Sequence, residues 1–136
     1  LHSFPTRRSS DLAILSTDYS IDLGGEYDAV IVSFVSPANV DRNGTIYFDF
    51  TDSTSLAGPF RGQNGANGIV WTERIGNVVS TFGSWGNIYG SNAWYNFGNG
   101  IVITDAKMDT VRFVGNTLGT TIPAGTTITI YGAQEV

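Results

Sequence analysis

The stretch Thr45-Ile46-Tyr47-Phe48-Asp49-Phe50-Thr51 decides the fold class. Ile46, Phe48 and Phe50 fall on one side of an extended chain while Tyr47 and Asp49 fall on the other, which is the period of a half-buried β-strand. Just upstream, Asn43-Gly44 is a strong turn dipeptide because both residues tolerate positive φ. It predicts an antiparallel hairpin back to Ala29–Val35, a run that is apolar everywhere except Ser33. A run apolar on both faces reads as a central strand covered on both sides. Further upstream, Tyr19, Ile21 and Leu23 alternate with Ser20 and Asp22.

Downstream, residues 52–68 are rich in Ser, Thr, Gly and Asn and predict a long loop or insertion. Strands are expected at 69–75 and 78–82 around a Gly76-Asn77 turn, at 93–97, at 101–104, at 110–114 and at 126–131. Asp105-Ala106-Lys107-Met108 suits a short turn, and Ile122-Pro123-Ala124-Gly125 suits a type I turn with Pro at its second position. With about eight short strands and no helix longer than a turn, the expected fold is all-β: an antiparallel, jelly-roll-like β-sandwich. Its expected core is Ile21, Val30, Val32, Phe34, Ile46, Phe48, Phe50, Trp71, Val111, Phe113, Ile128 and Ile130.

The whole chain has 136 residues, a size that fits one domain. It has no Cys, which excludes a disulfide framework and a thiol nucleophile. A net charge of −5 and a single Lys (Lys107) speak against nucleic acid or an anionic membrane as a partner. The first twelve residues show no strand or helix period, and Ser3 to Leu12 resembles the in-frame translation of a sequencing adapter. Residues 1–12 therefore read as a non-native assembly scar, with 13–136 as a single β-sandwich domain. That the chain opens on Leu1 with its sole Met at 108 is expected of such a fragment. Setting 1–12 aside leaves 124 residues, no His, 5 basic and 11 acidic side chains, net −6.

Without His or Cys the usual nucleophile and base pairs of acyl transfer cannot be assembled. A hydrolase would need paired carboxylates, and the candidates are Asp49 with Asp52, Asp105 with Asp109, and Glu73. Their positions on strand faces and turns suit solvated or capping roles better, so no catalytic residue is expected. Asp41, Asn43, Asp49 and Asp52 offer oxygen ligands near one hairpin, but the turn accounts for Asn43-Gly44 and no metal site or cofactor is expected. The glycine-rich run 62–68 lacks the Lys and helix of a phosphate loop. Trp85, Tyr89, Trp94 and Tyr95, interleaved with Asn87, Asn92, Asn96 and Asn99, have the composition of a saccharide-binding surface. The same residues equally suit the end of a core closed by tight turns.

The C-terminal residues Met108-Asp109-Thr110-Val111-Arg112-Phe113-Val114 and Ile122-Pro123-Ala124-Gly125-Thr126-Thr127-Ile128-Thr129-Ile130-Tyr131-Gly132 carry a resemblance. They are similar to the close of tailed-bacteriophage virion proteins, where a strand of the form I-x-x-I-x-F precedes F-x-x-G-T/S-x-x-x-L-Y-G-I. Ile21 to Leu23 and Tyr27-Asp28-Ala29-Val30-Ile31-Val32 resemble the opening of the same group. The chain departs from it with Ile122-Pro123 at the Phe position, Ile130 for Leu and Ala133 for the final Ile. The resemblance implies a structural, non-enzymatic subunit of a tail fibre, head fibre or decoration protein, located in the virion. Its implied partners are other virion subunits, as a homo-oligomer, and a host surface. The apolar outer positions Ile31 and Val35 fit a sheet face covered by another subunit. A secreted carbohydrate-binding module, contacting cell-surface glycan, is the alternative.

Overall fold

The computed structural model describes residues 2–3, 7–8, 18–35, 43–61, 67–89, 92–115 and 127–133. They form eleven strands: β1 (His2–Ser3), β2 (Arg7–Arg8), β3 (Asp18–Tyr27), β4 (Ala29–Val35), β5 (Asn43–Phe50), β6 (Ser55–Arg61), β7 (Asn67–Ile75), β8 (Val78–Tyr89), β9 (Asn92–Ile103), β10 (Met108–Gly115) and β11 (Thr127–Ala133). The larger sheet runs β1-β11-β4-β7-β8-β9, with β2 also on β11, and the smaller runs β3-β10-β5-β6. All pairings are antiparallel. The two sheets enclose one core, so the molecule is an antiparallel β-sandwich.

Alternation places that core. On β4, Val30, Val32 and Phe34 point inward; Ile46, Phe48 and Phe50 do so on β5, Val111 and Phe113 on β10, and Ile128 and Ile130 on β11. Ile21, Leu23, Tyr27, Leu56, Val70, Val79 and Met108 complete the buried apolar set. Thr72, buried beside them on β7, is satisfied by bonding the backbone of Val30 in both directions: its Oγ1 accepts from the amide at 2.8 Å and donates to the carbonyl at 3.2 Å. Glycine lets the layers close on each other. A Cβ on Gly58 of β6 would stand 2.7 Å from Val70 Cγ1, and one on Gly100 of β9 would stand 2.9 Å from the Ala57 carbonyl oxygen. The Thr81 hydroxyl donates to that same Ala57 oxygen at 3.1 Å and ties the two sheets together there.

Several expectations are corrected. Asn43 and Gly44 lie inside β5, and β4 and β5 belong to different sheets, so they form no hairpin. Turn propensity is local, and here pairing with β10 and β6 prevails. The expected loop at 52–68 contains β6. Trp71 leaves the core for the outer face, where its ring stacks on Phe82 with centroids 5.6 Å apart. Ile69-Val70-Trp71 is apolar at both parities, and the pairing of Val70 with Val32 and Gly83 is what turns Val70 inward. Among the described residues β4 is covered on its inner face only, since Val35 is exposed. The strands expected at 93–97 and 101–104 are one, β9. The turn at 122–125, Asp41 and most of the glycine run 62–68 lie outside the described residues.

His2–Ser3 and Arg7–Arg8 pair with Tyr131–Gly132 and Thr127–Ile128 at the outer edge of β11. A strand ladder is made by main-chain groups and accepts extended residues with little regard to their side chains.

Candidate functional site

Two of the candidate carboxylates, Asp49 and Asp52, are engaged in structural bonds. Arg112 of β10 donates to Asp49 of β5 through Nε at 3.0 Å and Nη2 at 3.2 Å, and its guanidinium lies 4.4 Å from the centre of the Tyr47 ring. The Ser55 hydroxyl donates to Asp49 at 2.6 Å. Asp52, exposed in the β5–β6 turn, accepts from the Thr54 amide at 3.0 Å and the Thr54 hydroxyl at 2.6 Å. It also accepts from the hydroxyl of Thr104, after β9. These bonds, the Thr104 one foremost, hold its carboxyl below the usual carboxylate range. A glycosidase pair needs one carboxyl free to move a proton and the other facing the sugar. Asp49 and Asp52 instead cap and cross-link neighbouring strands and turns. Asp105 and Glu73 are exposed, and Asp109 is half-buried at the start of β10.

The same end of the sandwich is held by Arg74. Its Nη1 donates to the Thr104 carbonyl at 2.6 Å and its Nη2 to the Ala106 carbonyl. Its Nε lies 3.7 Å from Asp28 at the β3–β4 corner, and Lys107 Nζ lies 3.5 Å from the other Asp28 oxygen. The chain between β9 and β10 is thereby fixed to β7 and to that corner. Among the described residues no group of three or more His, Cys, Asp or Glu could hold a metal ion.

The aromatic candidates lie on the β8–β9 hairpin; their backbone is described and their side chains are not. The register pairs Trp85 with Asn96, Asn87 with Trp94 and Tyr89 with Asn92. Each pair sets an aromatic position opposite an amide, and all six share the parity of inward-facing Val79 and Thr81. Tyr95 pairs with Gly86 and belongs to the opposite parity, so the strand geometry divides the four aromatics three to one. Since β7 begins at Asn67, opposite Gly86, the hairpin runs three residues past its neighbour, roughly 10 Å.

A second surface stands out by exposure. Val35, Ile69, Ile75, Phe82, Ile101 and Ile103 are the exposed large apolar side chains among the described residues, and all six belong to the outer face of the larger sheet. Ile75, Ile101 and Ile103 are 81%, 69% and 70% exposed and gather at one corner, where Ile75 pairs with Val78 and Val78 with Ile103. Across the middle, the register lines up Tyr131, Ile31, Trp71 and Phe82 on four adjacent strands. Scattered single apolar residues are ordinary on a surface, whereas a contiguous set marks a contact area. Ile31 and Val35 foreshadow this face in the sequence. Trp71 and Ile69 are missed because β7 is apolar at both parities.

The chain matches no protein-family model and no curated protein.

Proposed function

We propose that the domain is a structural subunit of a tailed-bacteriophage virion, of the tail-fibre, head-fibre or decoration kind, and that it acts by packing against other subunits and by contact with the host surface. The observation that carries this reading is the apolar outer face of the larger sheet. Fully burying one large aliphatic or aromatic side chain is worth about 1.5–3 kcal/mol, so six exposed on one face favour a permanent neighbour. The carboxylates engaged in structural bonds and the resemblance of the two chain ends support a non-enzymatic role and a virion location. The strand orders support a jelly-roll winding. Counting β1 with β2 as one strand and setting aside the β8–β9 hairpin leaves two four-stranded sheets, β1/β2-β11-β4-β7 and β3-β10-β5-β6.

Light scattering on the purified chain tests the packing. A multimer is expected at about 100 μM, with loss of mass in the double variant Ile69→Lys/Phe82→Lys, whose side chains already meet water. A strict monomer, together with a gene neighbourhood free of virion genes, would overturn the proposal.

A saccharide-binding reading is favoured by one observation, the alternation of aromatic and Asn positions along the β8–β9 hairpin. Rings stack on pyranose faces while amides bond hydroxyls, and Trp85, Tyr89 and Trp94 have the shared parity such a platform needs. Calorimetry against a glycan panel tests it, with Trp94→Ala expected to abolish heat while the thermal melt stays cooperative.

A further inference from the structure

Edge strands expose a row of unpaired amides and carbonyls, and proteins that stay monomeric blunt them with charge, proline or a covering segment. The larger sheet has two edges. At β11 the backbone of His2–Ser3 and Arg7–Arg8, within the segment read from the sequence as a non-native addition, lies along the edge. At β9 no described residue pairs with the outer edge. This strand, Asn92-Ala93-Trp94-Tyr95-Asn96-Phe97-Gly98-Asn99-Gly100-Ile101-Val102-Ile103, has twelve residues without one charge or proline. The edges of the smaller sheet differ, since β3 carries Asp18, Asp22 and Glu26 while β6 carries Pro59 and Arg61.

We propose that β9 pairs antiparallel with β9 of a second copy of this chain, about a two-fold axis perpendicular to the sheet, joining two larger sheets into one. The occupant follows from charge and pattern. A two-fold axis duplicates every edge charge along the joined seam, so an edge without charge pairs with its own copy free of like-charge repulsion. In a chain of net charge −5 this edge is neutral along its whole length. A two-fold of this orientation also places outer positions against outer positions. Centred on Asn99, it sets Ile101 opposite Phe97 of the second copy and Ile103 opposite its Tyr95, pairing β-branched with aromatic residues, which is favourable across strands. The joined sheet presents one apolar face of doubled area. In that respect the inference rests on the subunit-packing reading, because neighbours would then cover a face shared by two copies.

The absence of cysteine makes the test clean. Residues facing themselves across an antiparallel pair have Cα atoms about 4.5–5.5 Å apart, within reach of a disulfide. Asn99→Cys is expected to give a covalent dimer on mild oxidation, whereas Val35→Cys, on central strand β4, is expected to give none. Ile101→Lys/Ile103→Lys, at two highly exposed positions, is expected to weaken dimerisation by on the order of tenfold or more through loss of the apolar cross-strand pairs with Phe97 and Tyr95 of the second copy, with its melt reporting that the fold is kept. A multimer that leaves the Asn99→Cys variant uncrosslinked, ignores the two lysines and dissociates only in Ile69→Lys/Phe82→Lys overturns the edge pairing and leaves the packing reading standing. Higher oligomers without the 99 to 99 crosslink assign the edge to head-to-tail pairing and likewise overturn the two-fold. A strict monomer overturns both.

Discussion

Asp52 illustrates how much a single side chain on the surface can organise. Its carboxylate joins the β5–β6 turn to the segment after β9, and Thr104, which donates to it, also accepts from the Ala106 amide at 3.0 Å. Because these bonds lower its folded pKa, Asp52 adds stability in full above the ordinary carboxylate value, and that contribution fades as pH falls through the lowered folded value. Asp52→Asn keeps the shape and removes the charge. Its melting temperature is expected to lie below wild type at pH 7 and to converge with it as pH falls through the lowered folded value of Asp52, as circular dichroism would read; a gap constant with pH would contradict this. The local half of the cluster is legible in the sequence, since Asp-x-Thr is a common turn device. The Thr104 half is not, because it joins residues far apart in the chain. Asp49 and Arg112 are obscure for the same reason. Alternation assigns each to the solvent side of its strand, but only the pairing of β5 with β10 makes them neighbours.

β6 and β9 show where period and composition stop informing. Ser55-Leu56-Ala57-Gly58-Pro59-Phe60-Arg61 holds a Gly and a Pro, both depleted in strands, and so reads as loop. It is a strand because it lies at a sheet edge, where proline is tolerated, and because its glycine lets it cross close to β7. Gly58→Ala is expected to destabilise by about 1–3 kcal/mol, the range for overpacking a filled core, measured as a shift in the urea midpoint at unchanged slope; an unchanged midpoint would mean the sheets can separate freely. β9 hides for a related reason, as its glycines and asparagines break the apolar period although the strand is continuous. The aromatic cluster of the β8–β9 hairpin is legible as a composition, whereas its split by parity depends on the register. β11 is legible throughout because Thr and Ile alternate there between outer and inner positions, whereas β4, apolar at both parities, is legible as a strand but not in which of its faces is covered.

For the molecule as a whole, the sandwich class follows from short alternating strands, while the sheet orders do not, since five of the connections from β3 to β11 cross between the sheets. Removing residues 1–8 tests what the covered edge is worth. The shortened chain is expected to lose about 1–3 kcal/mol, a few net main-chain hydrogen bonds, and to aggregate faster on warming, because β11 (Thr-Ile-Thr-Ile-Tyr-Gly-Ala) carries no charge to protect it. Equal stability and equal aggregation would mean the segment adds nothing. The strand orders also set a timetable for biosynthesis. β10 stands between β3 and β5, and β11 stands beside β4, so the two strands made last are those that hold the early ones together. β4, β7, β8 and β9 can pair before either arrives, but the smaller sheet cannot close without β10. Folding of the whole sandwich must then wait for β10 and β11 and, with so many distant contacts to form, proceeds slowly.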